Sequence, residues 1–337
     1  MSQNVVITGA SAGVGRAVAV AYARRGARVA LLARGRAGLE GASLETRAAG
    51  ATEVRTYQVD VSDADAVQEA ADDVAAAWGG IDVWVNDAMT SVFAPTWEIT
   101  PAEFRRVTEV NYLGTVHGTL AALRHMRPAG HGAIVQIGSA LAYRGIPLQS
   151  AYCASKHAIQ GFNDSLRAEL LHDGNRVTLS MVQLPAVNTP QFSWVRTRLP
   201  NHPQPVPPIY QPEVVAQAAL WVADKGKREI NVGGPTLKTR LGNIVAPAFL
   251  DRLLANDKRG YQGQQTGEKI DLSQWHDNVD KPVDEDRDFG VHGVFDDQSR
   301  TSSFALWATM HKPLVAGVLG AGLSLAAAGF LRRRPYL

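Results

Sequence analysis

Tyr152 and Lys156 stand four residues apart in Tyr152-Cys153-Ala154-Ser155-Lys156, a spacing that projects both side chains from one face of a helix. A free phenol has a pKa of about 10. An ammonium about 4 Å away, in a medium of effective dielectric near 20, favours the phenolate by about 4 kcal/mol, or roughly three pKa units. Tyr152 is therefore expected to give a proton to a carbonyl oxygen as hydride arrives, and to take one back when an alcohol is oxidised. Lys156 is expected to hold a ribose as well. Ser139, which ends the apolar run in Ile137-Gly138-Ser139, offers a hydroxyl to polarise the same carbonyl.

Hydride chemistry needs a carrier, and the first turn of the chain suits one. Thr8-Gly9-Ala10-Ser11-Ala12-Gly13-Val14-Gly15 follows an apolar run and leads directly into an alanine-rich helical stretch. Gly9, Gly13 and Gly15 allow a tight turn and close backbone approach to a pyrophosphate, whose charge is stabilised by the unpaired N–H groups of the helix start. Ser11 and Val14 complete the cradle. The second apolar run ends Leu31-Leu32-Ala33-Arg34 with no carboxylate to meet ribose hydroxyls. Arg34, helped by Arg36 or Arg16, suits a 2′-phosphate instead. NADP(H) is thus the expected cofactor, with NAD(H) as the alternative.

These groups must sit at the ends of strands, and the chain supplies such strands. Val- and Ile-rich runs at Asn4 to Thr8, Arg28 to Ala33, Val54 to Val59, Ile81 to Asn86, Ala133 to Gly138 and Val177 to Gln183 alternate with alanine-rich helical stretches. That alternation predicts an α/β fold with a doubly wound parallel sheet, whose strands are buried on both faces. A seventh strand is expected at Glu229 to Val232. Between them, Pro185 to Pro212 holds too many prolines for a helix or a central strand and is expected to be a long loop covering the substrate. Phe192, Trp194 and Leu199 in that loop, with Phe93, Trp97 and Tyr143 near other strand ends, point to an apolar or bulky carbonyl or alcohol.

The T-G-x-x-x-G-x-G spacing, followed in order by Ser139 and the Tyr152–Lys156 pair, resembles the short-chain dehydrogenase/reductase family over residues 1 to about 230. The resemblance implies a Rossmann-type sheet of six or seven strands and an NAD(P)-dependent oxidoreductase that moves hydride between cofactor and a carbonyl or secondary alcohol. It also implies that Asp60 and Val61 meet the adenine ring. Asn111, in Glu109-Val110-Asn111-Tyr112, would position Lys156 through a water and support proton relay. After the fourth strand the family reads Asn-Asn-Ala-Gly and this chain reads Asn86-Asp87-Ala88-Met89. Asn86 and Ala88 match, whereas Met89 carries a side chain where glycine allows close contact. Pro185-Ala186-Val187-Asn188-Thr189 resembles the family's Pro-Gly-x-x-Thr segment, so that Pro185, Val187 and Thr189 would wall the nicotinamide carboxamide. A homo-oligomer through the helices after the fourth and fifth strands is also implied. Two other classes stay open: a dinucleotide-binding structural or sensor protein without turnover, and an epimerase or dehydratase that retains its cofactor.

The remaining sequence divides into a catalytic domain over 1–233, a helical and then polar irregular extension over 234–303, and an apolar helical segment over 304–337. A helix is expected from Thr236 to Asn256, and residues 257–303 read as irregular or partly disordered. Leu314 to Leu331 is 18 residues without a charge and is followed by Arg332-Arg333-Arg334. As a helix it would reach roughly 27 Å, close to the hydrocarbon thickness of a bilayer, so a membrane contact through 314–331 is expected. The start MSQNVVITGA lacks the basic and apolar regions of a signal peptide, which with the single Cys153 favours a cytoplasmic site of synthesis and no internal disulfide. Nine histidines lack close ligand spacing, so no metal is implied. A net charge of +2 is too balanced for a nucleic-acid footprint.

Overall fold

Unbroken runs of Val, Ile and Leu leave neither face of a strand for water, so they settle as central strands covered on both sides. In the computed structural model, which describes residues 2–315, seven do so: β1 (Asn4–Thr8), β2 (Arg28–Ala33), β3 (Glu53–Gln58), β4 (Val83–Asn86), β5 (Ala133–Ile137), β6 (Thr178–Gln183) and β7 (Glu229–Asn231). They form one parallel sheet in the order β3-β2-β1-β4-β5-β6-β7. The strands expected from sequence are all present, displaced by at most two residues at an end.

Parallel neighbours need crossover helices, and side-chain alternation along each strand assigns those helices to two faces. Val5 and Ile7 pack with α1 (Gly13–Ala23), α2 (Arg36–Ala48) and α7 (Pro212–Lys225). Val6 packs on the other face with α3 (Ala64–Trp78), α5 (Gly114–Ala129) and part of α6 (Ser150–His172). Before α5, the helix α4 (Pro101–Thr108) passes through one π turn, Glu109–Leu113. The chain winds outward from β1 through β3 and then returns to the other side of β1 as β4. Consecutive crossovers therefore part at the carboxyl ends of β1 and β4, where a crevice opens.

The proline-rich loop holds only short elements: Ala186–Val187 paired with Ile209–Tyr210, a 3₁₀ turn at Pro190–Ser193, Arg196–Thr197 paired with Val92–Phe93, and Asn201–Pro203 paired with Gln265–Lys269. The helix expected over Thr236 to Asn256 is two, α8 (Gly234–Val245) and α9 (Pro247–Ala255). Pro247 lacks an N–H and cannot continue α8, so the axis breaks there.

Beyond Gln265–Lys269 regular structure is sparse, but the reading of partial disorder is corrected. Residues 276–296 lie as a strap against the first turns of the domain and the segment 188–213, with Val279, Asp284 and Phe295 buried. Low apolar periodicity concealed this because charge holds the strap in place: its acids meet arginines of the body. Among the described residues no helix is long and apolar enough to cross a membrane. Of the apolar stretch 314–331, all beyond Val315 lies outside the described residues.

Candidate active site

The turn after β1 is closed by contact. Gly9 has φ +69°, and a Cβ there would stand 2.8 Å from the Ala88 Cα and N. A Cβ on Gly15 would stand 2.4 Å from the Gly9 carbonyl oxygen. The β1–α1 and β4 turns thus touch backbone to backbone, and Thr8 Oγ1 ties them by accepting from the N–H of Asp87 at 3.1 Å and of Ala88 at 3.3 Å. Asn86 sits below, donating to Gln136 at 2.9 Å and Thr119 at 3.2 Å. It braces the floor, whereas Ala88 lines the crevice.

The crevice is a cavity of about 520 Å³, within the usual range for a cofactor or substrate site. It is lined by Gly9, Ser11, Gly13, Val14, Arg34, Asp60 and Val61 and by Ser139, Tyr152, Lys156, Pro185, Val187 and Thr189, and a Cβ on Gly13 would stand 3.2 Å from the Thr189 Cβ. Gly15 and Asn86 shape it from behind. The Thr189 hydroxyl is buried with no hydrogen-bond partner among the described residues. A cradle that excludes a Cβ, a helix start beside it and an unpaired hydroxyl packed against Gly13 together fit a dinucleotide.

Tyr152 and Lys156 occupy the first two turns of α6. Tyr152 and Ser139 both line the cavity, and Ser139 Oγ accepts from the Leu141 N–H at 3.1 Å and so fixes the turn after β5. Lys156 Nζ donates to the Ile137 carbonyl at 2.7 Å and lies 5.6 Å from the Tyr152 ring centre. Burial raises the phenol above its ordinary pKa, the opposite direction from that expected of Lys156 alone, and Ser139 opposes the rise. Lys156 is itself lowered by burial, while Asp87 opposes that shift. Asp87, buried beside the Gly15 N–H, is raised by the same desolvation.

Asn111 lies on the π turn, where the extra residue swings its side chain inward. Its amide donates to the Thr90 carbonyl and to Ser155 Oγ, both at 3.0 Å, and its carbonyl accepts from the Thr90 N–H at 2.8 Å. Asn111 therefore holds the residue preceding Lys156 and makes no direct hydrogen bond to Lys156 itself.

Asp60 pairs with Arg106 and accepts from Ser62 at 2.8 Å. Arg34 is not left open. Its guanidinium donates to the carbonyls of Asn278 and Val279, and Asp60 lies 3.9 Å away. Arg16 is buried between Glu45 at 2.6 Å and Asp288, and Arg36 lies 3.7 Å from both Glu285 and Asp286. The arginine cluster expected to hold a 2′-phosphate is thus engaged by the strap.

Phe93, Phe192 and Trp194 line the cavity as expected. Leu199 is buried behind Phe93. Trp97 is 84% exposed, and Tyr143 turns away to bond Glu229 beneath Arg240. Sequence reasoning missed Thr239, Leu254 and Gln264 from the extension, and Asn278, Val283 and Asp284 from the strap, all of which line the cavity. The one available signal was charge: an acidic run over 280–288 in a chain with Arg16, Arg34 and Arg36 near its first turns.

The sequence profile described as short chain dehydrogenase matches residues 3–199. The chain is 30% identical over 334 residues to the uncharacterized oxidoreductase YxnA of Bacillus subtilis, spanning 97% of this chain and 90% of that one. It is 32% identical over 241 residues to a D-threitol dehydrogenase of Mycolicibacterium smegmatis, covering 69% of this chain and 92% of the relative. An alcohol dehydrogenase from Thermococcus sibiricus, solved with 5-hydroxy-NADP, superposes with a TM-score of 0.59 at 29% identity, over 68% of this chain and 96% of that one. A short-chain dehydrogenase from Streptomyces avermitilis superposes with a TM-score of 0.64 at 26% identity, over 77% and 98%.

Proposed function

This chain belongs to the short-chain dehydrogenase family, and from that premise we propose that it transfers hydride between a nicotinamide dinucleotide and a carbonyl or secondary alcohol, with Tyr152 as the proton donor and acceptor. The observation that carries the reading is that Ser139, Tyr152 and Lys156 share the wall of the cavity that begins at the glycine cradle. The dinucleotide supplies the hydride when bound. Gly9, Ser11, Gly13, Val14 and Gly15 hold its pyrophosphate, Asp60, Val61 and Ala88 form the adenine end with Asn86 bracing the floor beneath, and Pro185, Val187 and Thr189 wall the nicotinamide end.

Tyr152 donates its proton to the substrate oxygen while Ser139 holds that oxygen by a second hydrogen bond. Burial raises the phenol, so Tyr152 rests protonated and is poised for reduction. Oxidation requires it to lose that proton, and the buried cation of Lys156 on the ring face is the group that favours the loss. Asn111 acts at one remove by fixing Ser155 and the start of α6. Phe93, Phe192 and Trp194 favour an apolar carbonyl substrate.

Tyr152→Phe removes one oxygen and keeps the ring. Assayed over a panel of carbonyl compounds, it is expected to lose about 10²- to 10⁴-fold in rate, the usual contribution of a general acid, with dinucleotide affinity retained. Equal rates in the two proteins would remove Tyr152 from the mechanism.

Helices α5 and α6 carry the exposed Leu120 and Leu171 and form the self-association surface, to be checked by light scattering of the full chain. The apolar stretch 314–331 attaches the protein to membranes. Fractionation of the full chain against one ending at Leu314 tests this, and equal partition of the two would dismiss the attachment.

A further inference from the structure

We propose that the carboxylate of Asp284, carried by the C-terminal strap, selects NAD(H) over NADP(H); the inference rests on the dinucleotide reading above. Selection between the two cofactors is made after the second strand of such a sheet. A carboxylate there accepts from the ribose hydroxyls, whereas arginine there pairs with a 2′-phosphate. Here β2 ends in Ala33-Arg34 and supplies no carboxylate of its own. The strap delivers one to the same place.

The position of Asp284 is fixed by its neighbours. A Cβ on Gly35 would stand 1.9 Å from Asp284 Oδ1, and one on Gly38 would stand 2.3 Å from Oδ2 and 2.9 Å from the Ser11 Cβ. The carboxylate therefore lies between the glycine cradle and the start of α2. Asp284 is 8% exposed and lines the cavity together with Ser11 and Arg34.

A simpler role, capping α2, is already filled by other groups. The Arg36 N–H donates to Glu285 Oε2 at 3.1 Å, the Ala37 N–H to the Glu285 carbonyl at 3.1 Å, and the Gly38 N–H to the Asp284 carbonyl at 3.0 Å. The Asp284 side chain is left over from that set. It faces a site where a ribose offers two hydroxyl donors, and where a 2′-phosphate would bring a dianion against a buried carboxylate. The arginines that would offset this repulsion are committed. Arg16 is held by Glu45 and Asp288, Arg34 by the Asn278 and Val279 carbonyls, and Arg36 faces Glu285 and Asp286. The strap thus supplies the acid and also occupies the bases.

The test is binding without turnover. The full chain is titrated with NADH and, separately, NADPH, and dissociation constants are read from cofactor fluorescence with no substrate present. The wild-type protein is expected to bind NADH at least tenfold more tightly. Asp284→Asn keeps the size and removes the charge, and is expected to reduce that ratio at least tenfold, mainly by strengthening NADPH; Asp284→Ser should move it the same way. Asp297→Asn, an exposed carboxylate just past the strap, is expected to leave the ratio within twofold. Equal or tighter binding of NADPH by the wild type, or an unchanged ratio in both Asp284 variants, would overturn the selection while leaving the dehydrogenase reading intact. Failure to bind either dinucleotide would overturn both.

Discussion

Substituting Gly9 by alanine tests whether the contact between the β1 and β4 turns, and not merely an unusual backbone angle, builds the cradle. Two costs arise. At φ +69° an L-residue loses roughly 1–2 kcal/mol relative to glycine. The new methyl also stands 2.8 Å from the Ala88 Cα and N and 3.1 Å from the Asp87 carbonyl carbon, so backbone must shift, which adds about 1–3 kcal/mol. The sum is about 2–5 kcal/mol, and at about 2–4 °C per kcal/mol for a domain of this size the Tm falls by roughly 4–20 °C. Gly79 separates the two costs. It has φ +79°, and a Cβ added there would meet nothing within 4 Å, so Gly79→Ala carries only the backbone cost of about 1–2 kcal/mol. Scanning calorimetry with dinucleotide titration reads both variants. The larger Tm loss and the loss of binding should belong to Gly9→Ala alone; equal Tm losses, or full dinucleotide affinity in Gly9→Ala, would refute the contact argument.

Arg16→Met removes the buried guanidinium that joins Glu45 to Asp288, so the strap should open more often and trypsin should cut at Arg287 at least tenfold faster under native conditions; unchanged cleavage would dissociate the strap from Arg16. Arg106→Ala removes the nearer of Asp60's two cationic neighbours, leaving Arg34 at 3.9 Å, and removes a 3.0 Å donor to the Val279 carbonyl. Urea denaturation is expected to show a loss of about 1–3 kcal/mol, and a loss below about 0.5 kcal/mol would contradict the assigned role. Burial raises the phenols of Tyr22, Tyr143 and Tyr152 above their ordinary range. Groups raised in the fold contribute stability that is complete below the unfolded pKa and lost above it, so urea midpoints should fall as pH climbs past about 10. A midpoint unchanged between about pH 9 and 11 would count against that burial.

The fold and the catalytic end of the cavity were legible because their signals are local. Each strand is a short apolar run bounded by turns, and Tyr152, Lys156 and Ser139 lie on or beside elements whose period fixes where their side chains point. The glycine cradle was legible for the same reason, since Gly9, Gly13 and Gly15 belong to one strand–turn–helix unit. What sequence could not show is where distant segments meet. The strap has no apolar period, and its position is set by pairs such as Arg16 with Asp288, which are 272 residues apart. Arg34 read as an open phosphate site for want of that knowledge. The electrostatics of Tyr152 failed on a finer scale: the four-residue spacing puts Lys156 on the right face, but rotamers and the Ile137 carbonyl decide that its ammonium lies over the ring.

The central claim, that this cavity carries hydride from a dinucleotide to a carbonyl carbon, is tested most directly with nicotinamide deuterated at the transferring C4 position. With a reducible carbonyl from the panel, mass spectrometry should find one deuterium on the carbinol carbon of each product molecule, and Tyr152→Phe should form that product far more slowly. Alcohol formed without deuterium, or cofactor bound and no carbonyl reduced across the panel, would contradict the account.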